Sequence, residues 1–213
     1  TTVLSAIAIG IIVFIVRLAI ALSGDDNPNN QLAYQPAIIP EGYVLYSGKD
    51  VEMAVPNWWQ DVNTPEYLDM ISEIVQSFEG QGGSPEFNEL LGEIGSKSES
   101  KDFQIFAHDF NSGTNVNIDM NFARYSPPQE VINMLLREFE QYGITVLQYD
   151  VIQLPIGEAV YFKSVFPIIG AYSTSHAYLI QKNGKAYTIT FTEIYPSDLD
   201  MFAVMIDTFR IKS

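Results

Sequence analysis

The chain has 213 residues, with 26 Asp and Glu against 11 Lys and Arg for a formal net charge of −15, and it contains no cysteine. A surface this acidic argues against binding nucleic acid or lying flat on an anionic bilayer, both of which call for basic residues. Without cysteine there are no disulfides, thiolate metal sites, iron–sulfur clusters or covalently attached c-type haem.

Residues 3 to 23 form an almost unbroken apolar run holding one charge, Arg17, and the acidic stretch Gly24-Asp25-Asp26-Asn27-Pro28-Asn29-Asn30 follows at once. About 21 residues at roughly 1.5 Å each match the roughly 30 Å hydrocarbon layer, so residues 1–23 read as a transmembrane helix. Ala21-Leu22-Ser23 would suit signal-peptide cleavage. The length of the run and the lack of a basic segment before it favour a retained single-pass anchor in the cell membrane instead. No Lys or Arg follows until Lys49, which places the C-terminal side away from the cytoplasm, in a periplasmic, extracellular or lumenal space.

Arg17 has two readings. It lies close enough to the end of the run for its side chain to snorkel to the headgroups. Alternatively, Ala6, Gly10, Val13, Arg17 and Ala21 fall on one helical stripe. Its small residues would admit a neighbouring transmembrane helix from another chain, with the guanidinium facing protein.

Residues 24–40 read as a linker rich in Asn, Pro and Gln, and 41–213 as one extracytoplasmic domain. Its first hairpin pairs strands at 43–47 and 51–55 around Ser47-Gly48-Lys49-Asp50, and Pro56-Asn57-Trp58-Trp59 ends it. Thr64 and Pro65 then open a helix with Tyr67, Met70, Ile71, Ile74, Val75 and Phe78 at helical spacing. After glycines 80, 82 and 83, a shorter helix starts at Ser84-Pro85 and closes at Gly95.

The next hairpin is expected over 102–110 and 115–125, around Asn111-Ser112-Gly113-Thr114. In its second strand Val116, Ile118, Met120 and Phe122 point one way, while Asn115, Asn117, Asp119 and Asn121 point the other. The polar set reads foremost as a solvated sheet face, and secondarily as a surface for a cation or a partner. Ser126-Pro127-Pro128-Gln129 has capping-box spacing before an amphipathic helix of Val131, Ile132, Leu135, Leu136, Phe139 and Tyr142, ending at Gly143. Strands follow at about 144–152, 157–166, 173–181 and 185–194, the last two joined by an Asn183-Gly184 turn. Ser197 caps a final helix. Hairpins interspersed with a few helices imply an α+β sandwich, an antiparallel sheet covered by helices.

At this point the domain resembles a known family. The pair Tyr46-Ser47 and Val51-Glu52-Met53-Ala54-Val55-Pro56 with Trp58, the strand Thr114-Asn115-Val116-Asn117-Ile118, and the hairpin Asn183-Gly184-Lys185-Ala186-Tyr187-Thr188-Ile189-Thr190-Phe191, which leads to a helix ending Thr208-Phe209-Arg210, look like the PsbP superfamily. These are extrinsic photosystem II subunits and their bacterial relatives, which share a fold with Mog-type Ran-binding proteins. The likeness spans residues 41 to 211. It implies an α/β/α sandwich around a central, mostly antiparallel sheet, here preceded by the transmembrane helix, and a non-catalytic role in docking to or assembling a membrane complex. No metal or chloride site carries over, because no family ligand motif is matched.

The chemistry-bearing residues are few. His108 and His176 are the whole imidazole supply; each shares a strand face with apolar or aromatic neighbours, and neither has a metal-ligand spacing. Asp109-Phe110-Asn111-Ser112-Gly113-Thr114-Asn115 has the polar look of a calcium loop. Its glycine is one place early and no Glu closes it, so a hairpin turn is expected. There is no Gly-x-Ser-x-Gly, no cysteine nucleophile and no phosphate-binding glycine pattern. Trp58-Trp59 offers an aromatic contact, with one of the two expected in the core.

The expected function is therefore that of a non-catalytic accessory subunit without cofactor or metal. It would pack into an integral photosynthetic or respiratory membrane complex, with the bilayer, the complex's integral subunits and a basic protein such as a cationic electron carrier as partners. The alternative is a stand-alone tethered binding module for a small ligand, lipid or cation.

Overall fold

A computed structural model describes residues 35–64, 66, 103–168, 171–193 and 199–212 of the chain. The expected transmembrane segment lies outside the described residues, as do both helices expected between Thr64 and Gly95. Among the described residues no helix is long and apolar enough to cross a membrane.

Two short runs open the domain, β1 (Tyr43–Ser47) and β2 (Val51–Pro56), paired antiparallel with Leu45 opposite Ala54. The short β3 (Gln60–Asp61) leads to β4 (Phe103–His108), which forms a hairpin with β5 (Asn115–Phe122). Helix α1 (Pro128–Gln141) is followed by a meander of long strands, β6 (Thr145–Leu154), β7 (Gly157–Ile168), β8 (Ala171–Lys182) and β9 (Lys185–Glu193). The chain then forms α2 (Leu199–Thr208) and β10 (Arg210–Ile211). The β8–β9 turn needs Asn183 and Gly184 because both adopt positive φ, 55° and 69°, the backbone twist that suits a two-residue hairpin.

These strands make two antiparallel sheets. The large one has the order β3-β4-β5-β9-β8-β7-β6, and the small one β1-β2-β10. The main core fills the space between them. Ile105, Val116, Ile118, Tyr187, Ile189 and Phe191 on one face of the large sheet meet Val51, Met53 and Val55 of β2, and Phe202, Met205 and Ile206 of α2. Phe191 stacks on Phe202 with ring centroids 4.6 Å apart.

Helix α1 covers the other face where β6 and β7 lie. It buries Val131, Ile132, Leu135 and Phe139, the last edge-on to Phe162 at 5.5 Å. Helices thus flank both faces of a mostly antiparallel sheet, an α+β architecture.

Three contacts distant in sequence tie the small sheet together and to β9 of the large one. The Thr208 hydroxyl accepts from the Ala54 N–H at 2.9 Å beyond the point where β10 stops. Lys185 Nζ meets Asp50 Oδ1 at 3.1 Å, and the Lys212 N–H donates to the Asp50 carbonyl at 2.8 Å.

The expected Ser126 cap is corrected here. The residue that precedes α1 is Pro127, with no side-chain cap hydrogen bond, and Pro128 at the first position has no N–H to satisfy. Ser126 is held by its backbone instead: its N–H donates to Gln181 Oε1 at 2.8 Å and its carbonyl accepts from Gln181 Nε2 at 2.9 Å.

Candidate functional site

Asn115, Asn117 and Asp119 are buried and Asn121 is half-buried, so the face of β5 read as solvated is covered. The polar side chains continue sideways across the sheet. His108 stands opposite Asn115, Asn115 opposite Thr192, Thr192 opposite Ser175, and Ser175 opposite Ser164. Residues directly opposite share a face, so one transverse row of small polar side chains crosses β4, β5, β9, β8 and β7. None of the five is more than 2 % exposed. At about 4.8 Å per strand the row is roughly 19 Å long. At the β3 end it continues to the exposed Gln60, which pairs with His108.

The neighbouring row on the same face mixes polar and apolar groups: Phe106, Asn117, Thr190, Ala177 and Phe162. Asp119 and Thr188 oppose each other one step further along. Both amide atoms of Asn115 and of Asn117 are buried without a hydrogen-bond partner, and so are the hydroxyls of Ser175, Thr188, Thr190 and Thr192. Natively buried amides and hydroxyls are almost always paired, because desolvating one without a partner costs about 1–3 kcal/mol. Asp119 Oδ2 accepts from Asn121 Nδ2 at 3.0 Å.

His108 closes the row against the β4–β5 turn, its ring stacked on Phe110 at 4.5 Å. Burial pushes its pKa down to about 4, opposed by the nearby Asp109 carboxylate, so the imidazole is neutral at pH 7. The loop with a calcium-like sequence is a tight hairpin turn. Asp109 Oδ1 accepts from the Asn111 N–H and Oδ2 from the Ser112 hydroxyl, each at 2.9 Å, and Gly113 has φ +79°. Both carboxylate oxygens are spent on the turn. Among the described residues no group of three or more His, Cys, Asp or Glu could hold a metal.

His176 sits on the opposite, apolar face. Its Nδ1 is 2.9 Å from the Tyr161 hydroxyl and its Nε2 is 3.5 Å from Glu193 Oε1. Burial and the Glu193 charge raise the Tyr161 pKa. Sequence reading gave both histidines as plain sheet residues; the Tyr161–His176–Glu193 chain escaped it because the three come from three separate strands.

Strand β6 borders the large sheet, and among the described residues no strand pairs with its outer side. Its ten residues, TVLQYDVIQL, include no Lys, Arg or Pro, and Leu147, Tyr149 and Val151 are 56 %, 48 % and 39 % exposed. The Val151 N–H donates to Asp150 Oδ1 at 2.8 Å, so it points away from β7. Elsewhere, Trp58 is exposed while Trp59 is buried, its carbonyl accepting from the Tyr46 hydroxyl at 3.0 Å. A cleft of about 90 Å³ by Tyr125, Pro128, Glu158 and Gln181 is small beside the roughly 300 Å³ that small-molecule sites begin at. The helical stripe of Ala6, Gly10, Val13, Arg17 and Ala21 lies outside the described residues.

No family model and no curated protein matches the chain. Solved structures similar to it include a protein from Bacteroides thetaiotaomicron VPI-5482, with 14 % identity, a TM-score of 0.48 and 81 % of this chain covered. The chain spans about half of that protein, 48 %. The cyanobacterial PsbP (CyanoP) of Synechocystis sp. PCC 6803 is similar over 84 % of this chain and 98 % of its own, with 10 % identity and a TM-score of 0.46. LpqN of Mycobacterium tuberculosis, described as involved in cell envelope biogenesis, is similar over 80 % of this chain and 91 % of its own, with 11 % identity and a TM-score of 0.41.

Proposed function

We propose that the chain is a non-catalytic accessory module, tethered by its apolar N-terminal segment, whose outer domain docks a protein partner in a membrane complex. A photosynthetic or respiratory complex is the host that the PsbP-like sequence motifs suggest. The observation that carries the reading is the border strand β6, ten residues long and unprotected by Lys or Pro. Natural proteins blunt such borders unless a partner strand uses them. A net charge of −15 favours a basic partner and makes the association weaken with salt.

The test is purification from native membranes in mild detergent. Co-migration with large hydrophobic subunits is expected, and its loss in Gly10→Leu or Arg17→Leu as well as in Val151→Pro, which removes an outward N–H of β6 without breaking the ladder to β7. A chain that migrates alone and monodisperse overturns the reading.

A further inference from the structure

We propose that Trp58, Ile38 and Ile39 form an edge by which the domain rests on the headgroup layer of an electrically neutral, phosphatidylcholine-like bilayer. The inference rests on the tether proposed above and is independent of docking through β6.

All three side chains are exposed, Ile38 at 87 % and Trp58 at 54 %, and the backbone brings them to one corner. The Tyr43 N–H donates to the Pro40 carbonyl at 3.2 Å, closing a turn that Ile38 and Ile39 lead into. The Asn57 N–H donates to the Gly42 carbonyl at 3.0 Å, so Trp58 leaves β2 beside that turn. Val44, exposed on β1, extends the corner, whereas Trp59 is turned into the core. Grouped apolar exposure of this kind marks a contact surface. An indole, apolar with one N–H donor, suits the headgroup layer, where one end of the ring is dry and the other wet.

The place where the tether joins the domain selects a bilayer as the occupant. The apolar run ends at Ser23, and residues 24–34, at about 3.5 Å each, span at most roughly 38 Å before the chain reaches Gln35. Gln35 belongs to the domain, its carbonyl accepting from Arg210 Nε at 3.1 Å, and Ile38 follows three residues on. The tether thus holds this corner near lipid at high effective concentration, so a contact of few residues suffices. Charge selects the lipid. Glu41 is the only charged residue from Gln35 to Gly48, and Pro56-Asn57-Trp58-Trp59-Gln60 has none, in a chain of net charge −15. Neutral headgroups accept such a corner, while anionic ones repel the acidic domain around it. Trp58 precedes β3, the border of the large sheet opposite β6. Contact on this side leaves β6 roughly 29 Å away across the sheet, clear of lipid.

The test reconstitutes the full chain in vesicles of phosphatidylcholine brominated on the acyl chains near the headgroup, where bromine quenches an adjacent indole. Flotation of the vesicles first reports the tether. Trp58 and Trp59 are the only tryptophans, so the difference in emission between the parent and Trp58→Phe is the Trp58 signal. In chains that float, this signal is expected to be blue-shifted and to lose a large part of its intensity to bromine. The loss is expected to shrink in Ile38→Asp, and again when brominated phosphatidylglycerol replaces the phosphatidylcholine. Both substitutions are at exposed positions, so the unfolding midpoint is expected to stay that of the parent. Three results overturn the proposal: a floating chain whose Trp58 signal is unquenched, the corner then facing water or kept for a protein; quenching unchanged in Ile38→Asp; or stronger quenching in phosphatidylglycerol. A chain that does not float takes the tether and this contact down together, whereas a floating chain with unquenched Trp58 removes the contact alone.

Discussion

Gly48 lies so close to Gln104 that a β-carbon on it would stand 2.2 Å from the Gln104 carbonyl oxygen. The β1–β2 turn is thereby pressed onto β4, where the Asp50 N–H also donates to Gln104 Oε1 at 2.8 Å. The obstructing atom is backbone, which cannot rotate away. Gly48→Ala is expected to cost about 2–3 kcal/mol, in the range of overpacked sites. The measurement is the denaturant midpoint, which should fall with the slope unchanged.

Thr208 completes the hydrogen bonding of β2 with a side chain. Its hydroxyl accepts from the Ala54 N–H and donates to the Met205 carbonyl at 2.7 Å, all within the core. Thr208→Val keeps the volume and strands a buried N–H, so a loss of about 1–3 kcal/mol is expected. Thermal unfolding checks it, and hydrogen exchange should show the Ala54 amide losing protection.

His108 makes stability depend on pH in one direction. Its pKa in the folded protein, about 4, lies below the ordinary value of 6.5 because burial disfavours the charged ring. Above pH 6.5 the ring is neutral whether the chain is folded or not, and stability is undiminished. Between 6.5 and 4 the unfolded chain takes up a proton that the folded one refuses, so stability falls by up to about 3 kcal/mol. His108→Gln should flatten that part of the stability profile in a series of unfolding curves from pH 7.5 to 4.

The sequence pattern carried the described elements well where the signal was local. Asn183-Gly184 fixed the β8–β9 hairpin, and the apolar stripe of α1 identified the residues it buries. What misled was the assumption that the polar side of β5 meets water. Alternation says that the two sides of a strand differ, and it does not say which is covered; β5 and β9 lie inside a sheet packed on both faces, so their amides and hydroxyls are buried too. The expected Ser126 cap failed for a different reason. The partner that holds Ser126, Gln181, is 55 residues away, and the spacing of nearby residues carries no trace of it. The transverse row was invisible for the same cause, since it exists only once five strands are in register.

The strand order of the large sheet has a kinetic consequence. Every neighbour in the run from β6 to β9 is joined by a short turn, whereas β5 meets β9 only after the whole meander between them has been laid down. The meander can therefore zip from one hairpin to the next, and the β5–β9 seam closes last, at the entropic cost of a long loop. That seam divides the β3–β5 flap from the meander along a line that cuts across the polar row.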